Sequence, residues 1–294
     1  MEENNSKKSF LIICFILAIF WAGFIYFSTR PDGNLHVYFL NVGQGDAILI
    51  QTPSGDDILI DGGPDESVLS ELGEVLPFWD REIELMILTH PDSDHVSGLV
   101  SVLERYKVDE VWLTGIVHHS SFYEKFLNLI EIKNVHSEIV MAGDEKIFYY
   151  NSSVEPIHES SLQVLFPFEN LYGEEVKDVN ATSVVCRLDY QGKSFLFTGD
   201  APIETESEMM VGDSYLQADV LKTGHHGSRT STNLDFLEAV NPEVAIISCG
   251  KDNRFNHPHS EVIESLELMN IEIRRTDLEG RIEIVVENGE LLVE

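Results

Sequence analysis

Residues 85–98 read Leu-Met-Ile-Leu-Thr-His-Pro-Asp-Ser-Asp-His-Val-Ser-Gly. The apolar run 85–88 has the composition of a short buried strand. Val96, Leu99, Val100 and Leu103 then recur at helical spacing. Between strand and helix lie His90, Asp92, Asp94 and His95, four potential metal ligands on one tight turn. Proteins of mixed α and β structure place their chemistry at such strand ends. Asp94 suits a helix N-cap. A cap explains one Asp, not two imidazoles and a second carboxylate. Imidazole nitrogen combined with carboxylate oxygen suits zinc, manganese or iron.

The chain around this turn has 294 residues, 24% charged and 43% hydrophobic, which fits one large or two small globular domains. Its formal charge is −32, from 51 acidic and 19 basic residues. That excludes a wide basic surface for duplex nucleic acid, which needs many phosphate contacts. Cys14, Cys186 and Cys249 show no disulfide framework and no zinc-type pairing.

Residues 10–27 carry no charge. Eighteen helical residues span about 27 Å, close to a bilayer core. Lys7 and Lys8 precede the run, and Arg30 follows with Asp32, a bias that favours the N-terminus inside. No small-x-small cleavage site follows it. The expectation is a tail (1–9), a transmembrane anchor (10–28), a linker (29–34) and one domain (35–294). The protein would then be single-pass in the cell membrane, with that domain extracytoplasmic.

From residue 35 onward, strand-like runs at 35–42, 47–51 and 58–61 precede helix-like 65–77. After the central turn come a strand at 109–114, a helix at 119–131 and a strand at 135–140. Residues 142–180 are polar and acidic and read as an irregular excursion. The second half repeats the theme, with polar clusters at strand ends: Asp200, His225 and His226, then His257 and His259. Strands followed by helices, twice, predict an α+β fold: a four-layer αββα sandwich, with the transmembrane helix in front of it. Asp61, before Gly62 and Gly63, is placed to orient a ligand histidine. Enough donors are present for two divalent ions bridged by Asp200, a pair that can activate water and clamp a phosphoryl group.

Five motifs now stand in order: 40–47 (Leu-Asn-Val-Gly-Gln-Gly-Asp-Ala), 90–95 (His-x-Asp-x-Asp-His), 198–200 (Thr-Gly-Asp), 221–228 (Leu-Lys-x-Gly-His-His-Gly-Ser) and 253–259 (Asn-x-Phe-Asn-His-Pro-His). The chain resembles the metallo-β-lactamase fold over residues 35–286, most of all the hydrolase domain of the ComEC/Rec2 family. The resemblance implies that His90 and Asp92 hold one metal, and that Asp94, His95 and His225 hold the second, with Asp200 bridging. His226 is an alternative to His225, and the sequence leaves that choice open. Asp61 would be the supporting acid, and His257 would face the scissile group. Asn180 and Ser183 would line the first site. Asp92 replaces the second His of the general superfamily pattern, and no third-motif His precedes Asp200. Both departures are shared by the ComEC-like branch, and they shift the preference from zinc toward manganese.

The implied function is a membrane-anchored, metal-dependent hydrolase whose hydroxide attacks a phosphodiester. Asp94 would orient the attack, and Lys222, Arg229 and the backbone near Ser228 would meet the developing charge. Basic residues beside the strand-end loops, Lys222, Arg229, Lys251 and Arg254, point to an anionic substrate, a phosphodiester or nucleic acid. Two other readings compete: a lactam, lactone or thioester hydrolase, and a non-catalytic, metal-stabilised partner of a DNA-uptake channel. The membrane is the one further partner implied; the sequence names no protein partner.

Overall fold

A run free of Pro forms helix α1 (Glu2–Ser28). The computed structural model describes residues 2–28, 31–150, 158–212 and 215–294. Residues 1–32 and 33–294 form two separate units. In the first unit Leu11, Phe15, Phe20 and Trp21 are exposed. Among the described residues no helix is long and apolar enough to cross a membrane. Side chains at 22 and 26–28 lie outside the description. The structure therefore does not carry the transmembrane expectation for 10–28.

Alternation at period two sets the first sheet of residues 33–294. In β1 (Leu35–Phe39) every second residue is fully buried, and His36 and Tyr38 between them are half-buried. β2 (Ile48–Gln51), β3 (Asp57–Ile60), α2 (Ser67–Val75), β4 (Glu82–Ile87), α3 (Ser93–Arg105), β5 (Lys107–Leu113), α4 (Ser121–Lys133) and β6 (His136–Ile139) follow. β7 (Glu145–Tyr150), β8 (His158–Phe166), β9 (Val185–Tyr190), β10 (Lys193–Phe197), α5 (Ile203–Val211), β11 (Val220–Lys222), α6 (Leu234–Val240), β12 (Val244–Ile247), α7 (Ser260–Leu268) and β13 (Glu272–Arg275) make the second half. α8 (Thr276–Glu279), β14 (Ile282–Glu287) and β15 (Glu290–Val293) complete the chain.

The eight-stranded sheet runs β15-β14-β1-β2-β3-β4-β5-β6, and the seven-stranded sheet runs β13-β12-β11-β10-β9-β8-β7. β3 to β6 are parallel, as are β10 to β13. Phe39, Ile60, Leu85 and Ile87 of the first sheet share a core with Val164, Leu188, Phe197 and Ile246 of the second. The opposite faces are apolar too. Leu59 and Met86 pack with Leu72, Leu99 and Phe126 of α2, α3 and α4. Leu196 and Ala245 pack with Met209, Phe236 and Leu266 of α5, α6 and α7. A strand covered on both faces must be apolar at consecutive positions, which explains runs such as 85–88. The result is a four-layer αββα sandwich.

The excursion expected at 142–180 is corrected in part. Its described residues include β7 and β8, which pair antiparallel and extend the second sheet. Phe148, Leu162 and Val164 anchor them in the inter-sheet core. β7 is the edge strand and β8 its neighbour, and their outer positions carry charge, so the alternation is masked by Glu145, Lys146 and Glu159. Residues 151–157 lie outside the described set.

Candidate metal centre

The connections that leave β4, β10, β11 and β12 converge at the carboxyl ends of the parallel strands. The first carries His90, and His95 follows on the opening turn of α3. This turn packs tightly because two glycines face each other: a Cβ on Gly98 would lie 1.7 Å from the Gly62 carbonyl oxygen. Gly62 N–H donates to His95 O (2.8 Å) and Gly98 N–H to Gly63 O (3.0 Å). Asp61, at φ 57°, is thereby set behind His95. Its Oδ2 accepts from His95 Nδ1 (2.7 Å) and Thr89 Oγ1 (2.7 Å), and its Oδ1 from Thr89 N (2.9 Å).

These bonds fix the tautomers. Thr89 Oγ1 spends its one proton donating to Asp61, so at 3.0 Å it accepts from His90 Nδ1. His226 Nδ1 donates to Ser248 O (3.0 Å). All three histidines therefore keep Nδ1 for these bonds and turn Nε2 inward, bare whenever the ring is neutral. Nε2 of His90, His95 and His226 and Oδ1 of Asp200 are buried with no hydrogen-bond partner. Converging lone pairs in a dry site are costly unless a cation meets them. Asp200 Oδ1 lies 3.4 Å from His95 Nε2, and its Oδ2 lies 3.5 Å from His226 Nε2. Asp94 Oδ2 is 3.6 Å from His226 Nε2. Tetrahedral bonds of about 2.0–2.1 Å place neighbouring donors about 3.3 Å apart, so the donors suit a metal ion. A second, wider group adjoins it: His90 Nε2 is 3.8 Å from Asp92 Oδ2 and 3.9 Å from Asp200 Oδ2, and His225 Nε2 is 3.7 Å from that same oxygen.

In the protein alone this field binds protons. Burial disfavours a charged His95, but Asp200 and Asp61 on either side hold its proton affinity well above normal. Burial likewise opposes His226, and Asp200 and Asp46 still push it up to about 9. His90 falls to about 3 through burial and the adjacent His95. Burial acts against the Asp200 carboxylate, yet His226 and His95 hold it well below the usual range.

The structure brings His225 and His226 to the same carboxylate. Both sit in the left-handed region (φ 47° and 56°), uncommon for a non-glycine residue. That conformation lets neighbours in sequence approach Asp200 together. His226 belongs with His95 and Asp94, whereas His225 is half-exposed, with Asn180 Nδ2 3.5 Å from its Nδ1. Ser183 Oγ accepts from Asp200 N (3.2 Å) and so holds the bridging residue. His257 lies alongside, 5.6 Å from His225 ring to ring; burial, then His226, push it down to about 4, so it is a neutral imidazole.

Three expected charge-stabilising groups lie elsewhere. Lys222 is 1% exposed, with Nζ on Asp46 Oδ2 (2.6 Å) and Thr223 O (2.9 Å). Arg229 points outward, with Nη1 3.6 Å from Glu261. The Ser228 backbone N–H is taken by His225 O (2.9 Å), and its buried Oγ bonds Thr230 and braces the loop. None of the three lines the cleft over the centre. Formal charge in a sequence carries no direction, and β11 turns Lys222 into the interior.

Two functional positions escaped the sequence reading. Asp46, buried, has Oδ1 3.2 Å from His226 Nδ1 and links that ligand to Lys222. Gln44 Nε2 is 3.5 Å from His257 Nδ1, and its Oε1 accepts from Gly250 N (3.1 Å). Both belong to the Gly-Gln-Gly-Asp turn, whose signal was the motif itself.

The metallo-beta-lactamase superfamily profile matches residues 40–251. ComE operon protein 3 of Bacillus subtilis (strain 168) is 32% identical over 90% of this chain and 34% of its own length. Recombination protein 2 of Haemophilus influenzae is 30% identical over 93% of this chain and 31% of its own. The chain thus spans about a third of the length of these relatives. Among solved structures, the metallo hydrolase Igni18 of Ignicoccus hospitalis aligns over 88% of this chain and 98% of its own, at 15% identity and a TM-score of 0.49. The profile match over most of the chain, together with these homologues, makes it a member of the metallo-beta-lactamase superfamily, in the ComEC/Rec2 family.

Proposed function

We propose that the chain is a metal-dependent phosphodiesterase acting on nucleotides or single-stranded nucleic acid. The observation that carries this is the convergence of three buried Nε2 atoms, none with a hydrogen-bond partner, on Asp200 at the floor of an open cleft of about 660 Å³. His90, Asp92 and His225 would hold one divalent ion, Asp94, His95 and His226 the other, and Asp200 both; zinc and manganese suit the donors. Bound there, the two ions supply Lewis acidity and a water of lowered pKa. Asp61 and the Ser248 carbonyl keep the Nδ1 protons of His95 and His226 pointed away from the reacting centre, with the Asp46 carboxylate beside the second. Asp94, held ionised below the usual carboxylate range by His226 in spite of its own burial, orients the attacking water. Gln44 and neutral His257 offer N–H groups to a phosphoryl oxygen. The name Recombination protein 2, borne by a relative, supports nucleic acid as the substrate.

The uncharged run 10–27 and the exposed side chains of α1 support a membrane tether, with the hydrolase domain outside the cell. The 294-residue chain in detergent, loaded with Mn²⁺ or Zn²⁺, is expected to cleave bis-p-nitrophenyl phosphate. Asp94→Ala is expected to abolish that turnover. Hydrolysis of a lactam or thioester with no phosphodiester cleavage would overturn the reading.

A further inference from the structure

One wall of the cleft is the loop that follows β12, and a single side chain builds it. Asn253 Nδ2 donates to Gly250 O (2.9 Å) and His257 O (2.6 Å). Its Oδ1 accepts from Phe255 N (3.1 Å) and His257 N (3.0 Å). This brace presents Phe255, which is 42% exposed and belongs to none of the three apolar cores. The ring lies against His257, with centroids 5.6 Å apart and 23° between planes. The Arg254 guanidinium sits 4.6 Å from its centroid. Arg254 and Phe255 line the cleft with Asp92, Asp94, Asp200 and His225. Among the described residues lining it, Arg254 is the one lysine or arginine.

Charge alone grips a polyanion only through many cationic contacts. This wall has one, on a chain of net charge −32. A base stacked on an aromatic face supplies binding that does not depend on charge. We infer that Phe255 is a stacking platform for a nucleobase beside the phosphate at the metal centre. Arg254, on an exposed stem, yields its place over the ring to the base and turns to the adjoining phosphate. The occupant is a nucleotide or an unpaired strand, because a base within a duplex has no free face to offer. This rests on the phosphodiesterase reading and names its specificity element.

The test uses the full chain, with fluorescence anisotropy of labelled hexathymidylate and of an abasic hexamer of the same length. Phe255→Ala and Phe255→Leu are expected to weaken hexathymidylate binding about 10-fold or more. Abasic binding should stay weak and alike in all variants. Phe255→Trp should retain binding, with indole emission quenched as the base stacks. Log affinity against log salt should fall with a slope of about −0.7 to −1.4, one or two phosphate contacts on a single strand. Hexathymidylate binding within twofold of wild type in both the Ala and Leu variants overturns the inference, and so does equal affinity for the abasic strand. If wild type cleaves bis-p-nitrophenyl phosphate while those results appear, this inference alone fails. If wild type turns over no phosphodiester, both readings fail.

Discussion

Replacing Lys222 by Met removes a buried cation from behind the metal centre and keeps most of the side-chain volume. Lys222 Nζ stands 2.6 Å from Asp46 Oδ2. At that distance, with an effective dielectric constant near 20, the attraction is about 6 kcal/mol. Desolvation of both groups offsets most of it, so the pair itself is worth little. The deletion is costly for another reason: it strands the buried Asp46 carboxylate, at about 3–5 kcal/mol. Burial raises the Asp46 carboxyl, and Lys222 and His226 together bring it below its ordinary range. Without Lys222 that balance tips toward protonation, and His226 loses an acceptor beside its Nδ1. At about 2–4 °C per kcal/mol for a domain of this size, melting should fall by roughly 6–20 °C. Thermal unfolding of the full chain in detergent reads this. The double variant Lys222→Met with Asp46→Leu closes the cycle and should recover a large part of the loss, because no charge is left unpaired. A single variant that melts within about 1 °C of wild type, or a double variant no better than the single, would refute the reasoning.

Three more outcomes follow from the same geometry. Asp61→Asn takes the carboxylate from His95 Nδ1 and should weaken metal binding about 10- to 100-fold in a chelator competition; unchanged affinity would remove Asp61 from its role. Metal uptake should displace the protons that His95 and His226 carry, the latter below about pH 9, so affinity weakens as pH falls. Calorimetry in buffers of different ionisation heat counts those protons, and a count of zero contradicts the proton load assigned to His95 and His226. Glu206, fully buried, accepts from Thr232 N (2.5 Å) and Asn233 N (3.5 Å) ahead of α6, and burial pushes its carboxyl up to about 8. Its folded pKa is raised, so its stabilising contribution is complete below the ordinary carboxylate range and is lost as pH rises through about 8. Glu206→Gln should flatten the decline of the urea midpoint over that interval, and an unchanged slope would count against it.

The ligand turn was legible because its chemistry is local: His90, Asp92, Asp94 and His95 lie within one turn, between a strand and a helix that announce themselves by period. Asp200 and the histidine pair were legible as motifs at the ends of later apolar runs. The choice between His225 and His226 was not, since it depends on two consecutive left-handed residues and on Ser248 O, 22 positions away from His226. Lys222 misled because the same charge reads alike on a surface and in a core; only its pairing with Asp46 shows which. β7 and β8 were missed where charged outer positions hide the inward Phe148, Leu162 and Val164.

β1 lies between β2, its successor, and β14, which is far from it in sequence. His36 Nδ1 meets Glu283 Oε1 at 2.8 Å across 247 positions. A nascent chain therefore leaves the ribosome with β1 still open along one edge until the 247 positions from His36 to Glu283 have been made. Synthesis speed, early stops and ribosome pausing should govern how much of this protein aggregates through that edge before β14 seals it.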